Sequence, residues 1–156
     1  MANLTETARE TTTDTPVREA PLPVLLDDVV NATFVEFRRR LAEAGHSAIR
    51  PGHGCVFRFV NEGGARLTDL AETAGLTKQA VGEAVADLER LGYVERASDP
   101  RDGRAKVIRL TDLGADAQRT GLAIFTEMER EWAERYGAER VATLRELLEE
   151  IAADGS

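Results

Sequence analysis

The sequence predicts a mainly α-helical protein that carries one small β-hairpin. Apolar side chains recur every three or four residues along most of the chain, which is the spacing of an amphipathic helix. That spacing changes between residues 93 and 110, where two short runs flank the turn signal Asp102-Gly103. The chain has 156 residues, of which 42% are hydrophobic and 5% aromatic, so it has the size of one domain with an aliphatic core.

The N-terminal part contains a polar tail followed by a helix. Residues 1–20 are rich in Thr and acidic side chains, so we expect a disordered tail. A first helix is predicted over 24–43, ending at Gly45, because apolar side chains fall on one face at Leu26, Val30, Phe34, Phe37 and Leu41. A short second helix is predicted after Pro51, with Val56, Phe57 and Val60 as its apolar residues.

Two helices joined by a glycine turn are predicted next. The first spans Leu67–Leu76 and is followed by a turn at Gly75, and Thr77 is a good N-cap for the second, over 78–91. The second helix has a face that we expect to be buried, formed by Val81, Ala84, Val85 and Leu88.

A hairpin and two long helices complete the predicted elements. The strands are predicted at Tyr93–Ala97 and Ala105–Leu110. Thr111 then caps a helix over Asp112–Arg135, and a last helix follows over Ala138–Ala153.

Two short helices followed by a hairpin predict a winged helix-turn-helix, which is a DNA-binding arrangement. The second helix of such a motif presents polar side chains from its first turn to the major groove, and here these are Thr77, Lys78 and Gln79. Lys suits guanine or phosphate, and Gln suits adenine. The wing supplies cations that suit a narrow minor groove or phosphates, namely Arg101, Arg104 and Lys106. We expect Asp99 or Asp102 to brace one of the two wing arginines.

These segments resemble the MarR family of bacterial transcription regulators over about residues 24–153. The resemblance is carried by LTDLA at 67–71, TKQAV at 77–81, LERLGYVER at 88–96, DPRDGRAK at 99–106 and LTDLG at 110–114. It implies one domain over 21–153, with a winged helix-turn-helix at 51–111. It also implies an obligate homodimer formed by the helices at 24–43 and 112–153, and release of DNA by small ligands or oxidants.

The recognition helix departs from the common family pattern at Gly82-Glu83, where many members carry a small polar residue and then Arg. Two roles for Glu83 are open. It accepts a hydrogen bond from a cytosine amino group, or it orients a basic neighbour.

The distribution of charge favours a site-specific DNA contact. The net charge is −8, which argues against indiscriminate coating of nucleic acid. Residues 76–111 nevertheless carry seven basic and six acidic side chains, whereas residues 112–156 carry five and eleven. The predicted DNA-binding segment is therefore the one stretch with net positive charge.

Other polar side chains suggest an effector site rather than catalysis. The resemblance to the MarR family implies that the segment 46–57 lies near the cleft between the dimerisation and DNA-binding parts, where Arg50, His53 or Arg58 would meet an anionic ligand. The only cysteine, Cys55, lies in an apolar stretch and is expected to be buried and inert. We expect no metal site, no cofactor and no catalytic residues.

The sequence therefore predicts a ligand-responsive repressor that binds a pseudo-palindromic operator as a homodimer. A winged-helix module used only for protein association is the alternative, and an enzyme is a weaker one because no phosphate loop or GxGxxG motif is present. No run is long enough to span a membrane and the N-terminus has no apolar signal segment, so we expect a cytoplasmic location.

Overall fold

The computed structural model describes residues 20–99, 103 and 105–154, and these form six α-helices and one two-stranded antiparallel sheet. The elements in chain order are α1 (Leu22–Leu41), α2 (Gly54–Phe59), α3 (Leu67–Ala74), α4 (Lys78–Arg90), β1 (Val94–Ser98), β2 (Lys106–Leu110), α5 (Asp112–Tyr136) and α6 (Ala138–Asp154). A π-helical turn, Ala42–His46, extends α1, and a 3-10 turn, Pro51–His53, precedes α2. The predicted mainly helical fold with a hairpin wing is confirmed.

The observed boundaries lie close to the predicted ones. Helix α1 begins and ends two residues earlier than predicted, and the chain leaves the helical path at Gly45, which has φ +100°. Each strand begins one residue later than predicted. The tail predicted over 1–20 lies outside the described residues except for Ala20.

The turn between α3 and α4 depends on a left-handed glycine. Gly75 has φ +63°, and its N–H donates to Glu72 O at 3.1 Å, while the N–H of Leu76 donates to Ala71 O at 3.0 Å. This pair of bonds is the Schellman arrangement that ends a helix, and a side chain at Gly75 would be strained there. The turn lets α4 start at Lys78, three residues after Gly75.

A single core holds the helix-turn-helix and the hairpin together. Its fully buried side chains come from α2, α3, α4 and β2, and they include Val56, Leu70, Val81, Val85, Leu88 and Ile108. Complete burial of such side chains is worth roughly 1.5–3 kcal/mol each. The core therefore fixes the position of α4 relative to the wing.

The sheet has one partner that the sequence did not predict. The strands β1 and β2 pair with Val94 opposite Leu110 and Ser98 opposite Lys106. Ala65, just before α3, adds a bridge to Ile108 through two backbone hydrogen bonds of 3.0 and 2.8 Å. This bridge ties the wing to the start of the helix-turn-helix.

The close approach of α5 to the wing requires a glycine. Gly114, in the first turn of α5, is buried, and a Cβ built there would lie 2.0 Å from the backbone oxygen of Tyr93. Thr111 caps the helix by accepting from Gly114 N at 3.1 Å, and it donates to Gly92 O at 2.6 Å. The wing and α5 are thus joined through backbone atoms.

Helix α5 packs against both α1 and α6, and much apolar surface on the three helices is left exposed. Phe37 and Phe125 stack with ring centroids 4.2 Å apart, and Arg40 donates two hydrogen bonds to Glu131 at 2.7 and 2.8 Å. Helix α6 has no buried residue. None of the helices in the described ranges is long and apolar enough to cross a bilayer.

Candidate nucleic-acid interface

The first turn of α4 presents polar side chains to solvent at the helix N-terminus. Thr77 precedes the helix in an extended conformation, and its Oγ1 accepts a hydrogen bond from Ala80 N at 3.1 Å. This bond satisfies one of the backbone donors that a helix start leaves open. Lys78 and Gln79 are exposed beside it, at the positive end of the helix dipole. This end of α4 can therefore offer donors to phosphate oxygens and base edges.

The opposite face of α4 is held by the core, as predicted. Val81, Val85 and Leu88 have no exposed surface, and Ala84 is 9% exposed. The exposed residues of α4 include Lys78, Gln79, Glu83 and Ala86, and Gly82 is half-buried. A rigid helix with one apolar and one polar face is what a major-groove reader needs.

Glu83 lies one turn beyond Gln79 on the exposed face. The Gln79 Nε2 donates a hydrogen bond to Glu83 Oε1 at 3.1 Å. The neighbour that Glu83 holds is thus an amide rather than the basic side chain considered from the sequence.

Of the three predicted wing cations, Lys106 lies in the described part of the chain and the two arginines lie outside it. Lys106 is exposed at the start of β2, and its Nζ lies 3.3 Å from Ser98 Oγ as a donor. Arg101 and Arg104 lie outside the described residues, so their contact with DNA and their bracing by an aspartate stay predictions.

Asp99 has a buried role that the sequence did not indicate. It is 6% exposed, and its Oδ2 accepts hydrogen bonds from Arg66 Nε at 2.9 Å and from Arg66 Nη2 at 2.6 Å. Arg66 immediately precedes α3. The carboxylate therefore connects the end of β1 to the helix-turn-helix, and it sets where the wing loop begins.

Asp87 on α4 contacts three basic side chains. Its Oδ2 lies 3.0 Å from His53 Nε2 and 3.5 Å from Arg50 Nη1, and its Oδ1 is bonded by Arg90. The Arg90 hydrogen bond is the main cause that holds the pKa of Asp87 below its ordinary value. This cluster anchors the middle of α4 to the 3-10 turn.

His53, one of the predicted effector residues, is used by this anchor. It is 3% exposed, and its Nδ1 accepts from the backbone N–H of Arg50 at 3.1 Å, so the proton of the neutral ring lies on Nε2 and is donated to Asp87. Burial is the main cause that lowers the pKa of His53 below its ordinary value, and Asp87 opposes it. His53 does not line the cavity described next, whereas Arg50 and Arg58 do.

A cavity of about 790 Å³ lies between α1, α2, α5 and the end of α3. Its walls are mostly aromatic and aliphatic, with Phe34, Phe37, Leu41, Ile49, Phe57 and Phe125 among them. Three arginines also line it, Arg38, Arg50 and Arg58. Among the described residues, no carboxylate pairs with Arg38 or Arg58, and the Arg58 guanidinium lies 5.1 Å from the Phe59 ring centroid. The cavity thus combines an apolar interior with unneutralised cations.

Cys55 also lines this cavity. It is half-buried, and its Sγ donates to Gly52 O at 3.5 Å. Burial raises the pKa of the Cys55 thiol. The expectation of full burial is therefore too strong, although the thiol has the protonated character expected of an inert cysteine.

His46 joins three elements in a way that the sequence did not reveal. It is 4% exposed at the end of the π-helical turn, its Nδ1 lies 3.3 Å from the Tyr93 hydroxyl, and its Nε2 lies 3.2 Å from Asp116 Oδ2 on α5. The described residues contain no group of three side chains arranged to hold a metal ion.

Comparisons with known proteins agree with this geometry. The MarR family model matches residues 49–105, which include the helix-turn-helix and β1 and end just before β2. The chain is 36% identical over 122 residues to YxaD, an uncharacterized HTH-type transcriptional regulator of Bacillus subtilis (strain 168). The match covers 71% of this chain and 82% of YxaD.

Solved structures show the same fold at lower identity. CouR from Rhodococcus jostii RHA1, bound to p-coumaroyl-CoA, is 24% identical with a TM-score of 0.67, covering 85% of this chain and 92% of CouR. A mutant of MepR from S. aureus bound to an oligodeoxyribonucleotide is 20% identical with a TM-score of 0.57, covering 88% of this chain and 100% of MepR. The chain therefore belongs to the MarR family of transcriptional regulators, which are not enzymes.

Proposed function

We propose that this protein is a ligand-responsive repressor that binds a pseudo-palindromic operator as a homodimer in the cytoplasm. The observation that carries the proposal is the two-faced helix α4, which is locked into the core on one side and exposes Lys78 and Gln79 on the other. Its partners are double-stranded DNA, a second copy of the chain and a small-molecule effector, and no membrane is involved.

The DNA contacts are assigned to the first turns of α4 and to the wing. Gln79 and Lys78 reach base edges, and Thr77 and Lys106 contact phosphates. Arg101 and Arg104 enter the minor groove or bind phosphates beside it. In this arrangement the winged helix-turn-helix occupies 51–111 within a domain over 21–153.

The second copy covers the apolar surface of the helices at 24–43 and 112–153. Large apolar side chains that are 40–64% exposed in the single chain cluster on these helices. They include Leu25, Val29, Val35, Leu122, Leu147, Leu148 and Ile151. A symmetric dimer removes this surface from water and presents two copies of α4 to successive major grooves, so the half-sites lie about 10 base pairs apart.

The effector site is the cavity between α1, α2 and α5. Its apolar walls suit an apolar body, and the unneutralised Arg38 and Arg58 suit a carboxylate or another anion. A bound ligand would contact both the helices assigned to the dimer and α2 beneath the helix-turn-helix, so it can change the spacing of the two α4 helices. CouR, which has the same fold, binds p-coumaroyl-CoA in its crystal structure.

One set of measurements tests this proposal. Sedimentation at micromolar protein concentration should give a dimer, and selection from a randomised duplex library should enrich a two-fold symmetric sequence. Amphipathic aromatic carboxylates should then release that duplex, and Arg38→Ala with Arg58→Ala should weaken the release without weakening DNA binding. A monomer, or enrichment of no sequence, would favour a module used for protein association instead.

A further inference from the structure

Glu83 places a carboxylate on the face of α4 that the proposed function directs into the major groove. A negative charge there opposes binding to DNA, because it approaches a duplex that carries one negative charge per about 1.7 Å of axis. The other carboxylates on α4 have basic partners: Asp87 has His53, Arg50 and Arg90, and Glu89 has Arg96. Among the described residues, no cation is paired with Glu83. Glu83 therefore opposes DNA binding on this face unless its carboxylate has another role there.

The contact that Glu83 does make is with Gln79. The 3.1 Å bond runs from the amide nitrogen of Gln79 to a carboxylate oxygen of Glu83, four residues later on the same helix. A carboxylate only accepts hydrogen bonds, so it can hold the NH₂ end of the amide but not the carbonyl end. The bond thereby fixes which end of the Gln79 amide turns away from Glu83.

The hydrogen-bonding groups that remain free on the Gln79 amide match those of adenine. With one N–H bonded to Glu83, the Gln79 amide still has a second N–H and a carbonyl oxygen. Adenine presents an acceptor, N7, and a donor, the N6 amino group, in the major groove, and a glutamine amide meets both at once. An amide that is free to flip would present its donor and acceptor in either order, and this would weaken the preference for adenine.

The surface of α4 beside Gln79 and Glu83 carries small residues that allow DNA to approach the helix backbone closely. Gly82, which is half-buried, and Ala86, which is exposed, lie beside Glu83 on α4, and a Cβ added at Gly82 would meet only Leu67, at 4.0 Å. Packing therefore does not require the glycine, which is unfavourable inside a helix. Small side chains at both positions allow the backbone to come near the bases, within reach of the Gln79 amide.

We propose that Glu83 is a positioning residue for base recognition, whose carboxylate holds the Gln79 amide in the orientation that reads adenine. This inference rests on the proposed DNA-binding function. It has a second consequence, because the uncompensated carboxylate repels the backbone of any duplex on which Gln79 finds no adenine. Glu83 thus raises specificity while lowering affinity for random DNA.

The test is a double-mutant cycle on the operator enriched by the wild-type dimer. Affinities for all four bases at each half-site position are measured for the wild type, Gln79→Ala, Glu83→Ala and the double variant. We expect each single variant to lower the preference for adenine at the same position by about fivefold or more. The double variant should lose no more than either single one, since both act through one contact. Affinity for random DNA should rise in Glu83→Ala.

Controls and contrary outcomes separate this inference from the function on which it rests. Glu139→Gln removes a distant charge on α6 and should leave base preference unchanged, and thermal unfolding should show that each variant is folded. Relaxed preference at a different position in Glu83→Ala would mean that Glu83 reads a base itself, which overturns the positioning role. If Glu83→Ala binds every duplex more tightly and keeps its base preference, Glu83 acts only as a repulsive charge, and the positioning role is again overturned. A wild-type protein that enriches no sequence would overturn the proposed function and this inference with it.

Discussion

The winged half of the molecule, residues 51–111, and the helical half, formed by α1, α5 and α6, bury their apolar side chains to different extents. In the winged half, Leu70, Val81, Leu88 and Ile108 are at most 1% exposed. In the helical half, α6 buries none of its residues, and Ile151 at its end is 57% exposed. The winged half therefore buries its core within one chain, whereas the helical half leaves large apolar side chains exposed, which the proposed dimer would cover.

The two halves also differ in whether their polar contacts are buried or exposed. Polar contacts of the winged half include buried groups that set geometry, such as Asp99 with Arg66 and His53 with Asp87. Several ion pairs of the helical half lie in exposed positions on one helix, such as Arg130 with Glu127. Exposed pairs contribute little to stability, with a median of about 0–1 kcal/mol. In the proposed dimer, apolar burial against a second copy would therefore contribute most of what holds the helical half together.

The largest expected effect comes from matched leucine truncations in the two halves. Leu88→Ala should lower the free energy of unfolding by about 2–5 kcal/mol, because it removes a fully buried side chain from α4. Leu148→Ala on α6 changes a side chain that is 40% exposed in the single chain, so its cost should depend on dimerisation. Urea unfolding measures both losses, and sedimentation over a range of protein concentrations distinguishes the two, because only Leu148→Ala should shift the monomer–dimer equilibrium. Equal losses with unchanged dimerisation in both variants would contradict the contrast between the halves.

The same contrast explains how far the sequence could predict this molecule. Local patterns determine the elements: Thr77 caps α4, Gly75 ends α3, and the face containing Val81 and Leu88 is buried as its spacing predicts. The missed features are contacts between residues distant in the chain. The Ala65 bridge to Ile108 and the His46 contacts with Tyr93 and Asp116 have no signature in local spacing.

The contacts of His53 likewise involve a residue that is distant in the chain, which local spacing does not reveal. The position of His53 in the segment 46–57 predicts a contact with an anionic effector, and this role stays a prediction. In the structure its two ring nitrogens face Asp87 and the backbone of Arg50. A weak signal was present, because Asp87 is an acidic residue adjacent to Leu88 in the buried stripe of α4.

Removing cations from the two halves should have unequal effects on DNA binding. Arg101→Ala or Arg104→Ala should weaken binding at least about tenfold, or about 1.4 kcal/mol, because an acidic protein depends on a few well-placed cations. Losing one phosphate contact per subunit should reduce the slope of the salt dependence by about 2 in the dimer. Arg130→Ala on α5 is the control. Fluorescence anisotropy over a salt series measures all three, and unchanged affinity and slope in both wing variants would place the wing away from DNA.

A smaller effect concerns pH and lies within the winged half. Burial lowers the pKa of His53 in the folded chain below the ordinary 6.5, so the unfolded chain binds more protons as pH falls through about 6.5. The free energy of unfolding should therefore decrease from pH 7.5 to pH 5.5. His53→Gln keeps a donor for Asp87 and should show a shallower decrease. Parallel curves for the two proteins in urea titrations would assign the pH dependence to other groups.

The smallest expected effect is at Cys55, between the two halves. Cys55 lines the cavity bounded by α1, α2 and α5, so oxidation there would be well placed to disturb both halves. The thiolate is the form that reacts with peroxide, and burial raises the pKa of this thiol, which lowers the thiolate fraction at neutral pH. Cys55→Ser also leaves the ion pairs around α4 untouched, so the variant should bind DNA as the wild type does.

Peroxide treatment of both proteins tests this expectation directly. We expect equal retention of DNA by wild type and Cys55→Ser over a peroxide series, measured by anisotropy within minutes of addition. Oxidation of Met128 could release DNA by disturbing the helical half, but it would do so in both proteins. Release from the wild type alone would show that Cys55 is reactive despite its burial, and that oxidation between the halves can control DNA binding.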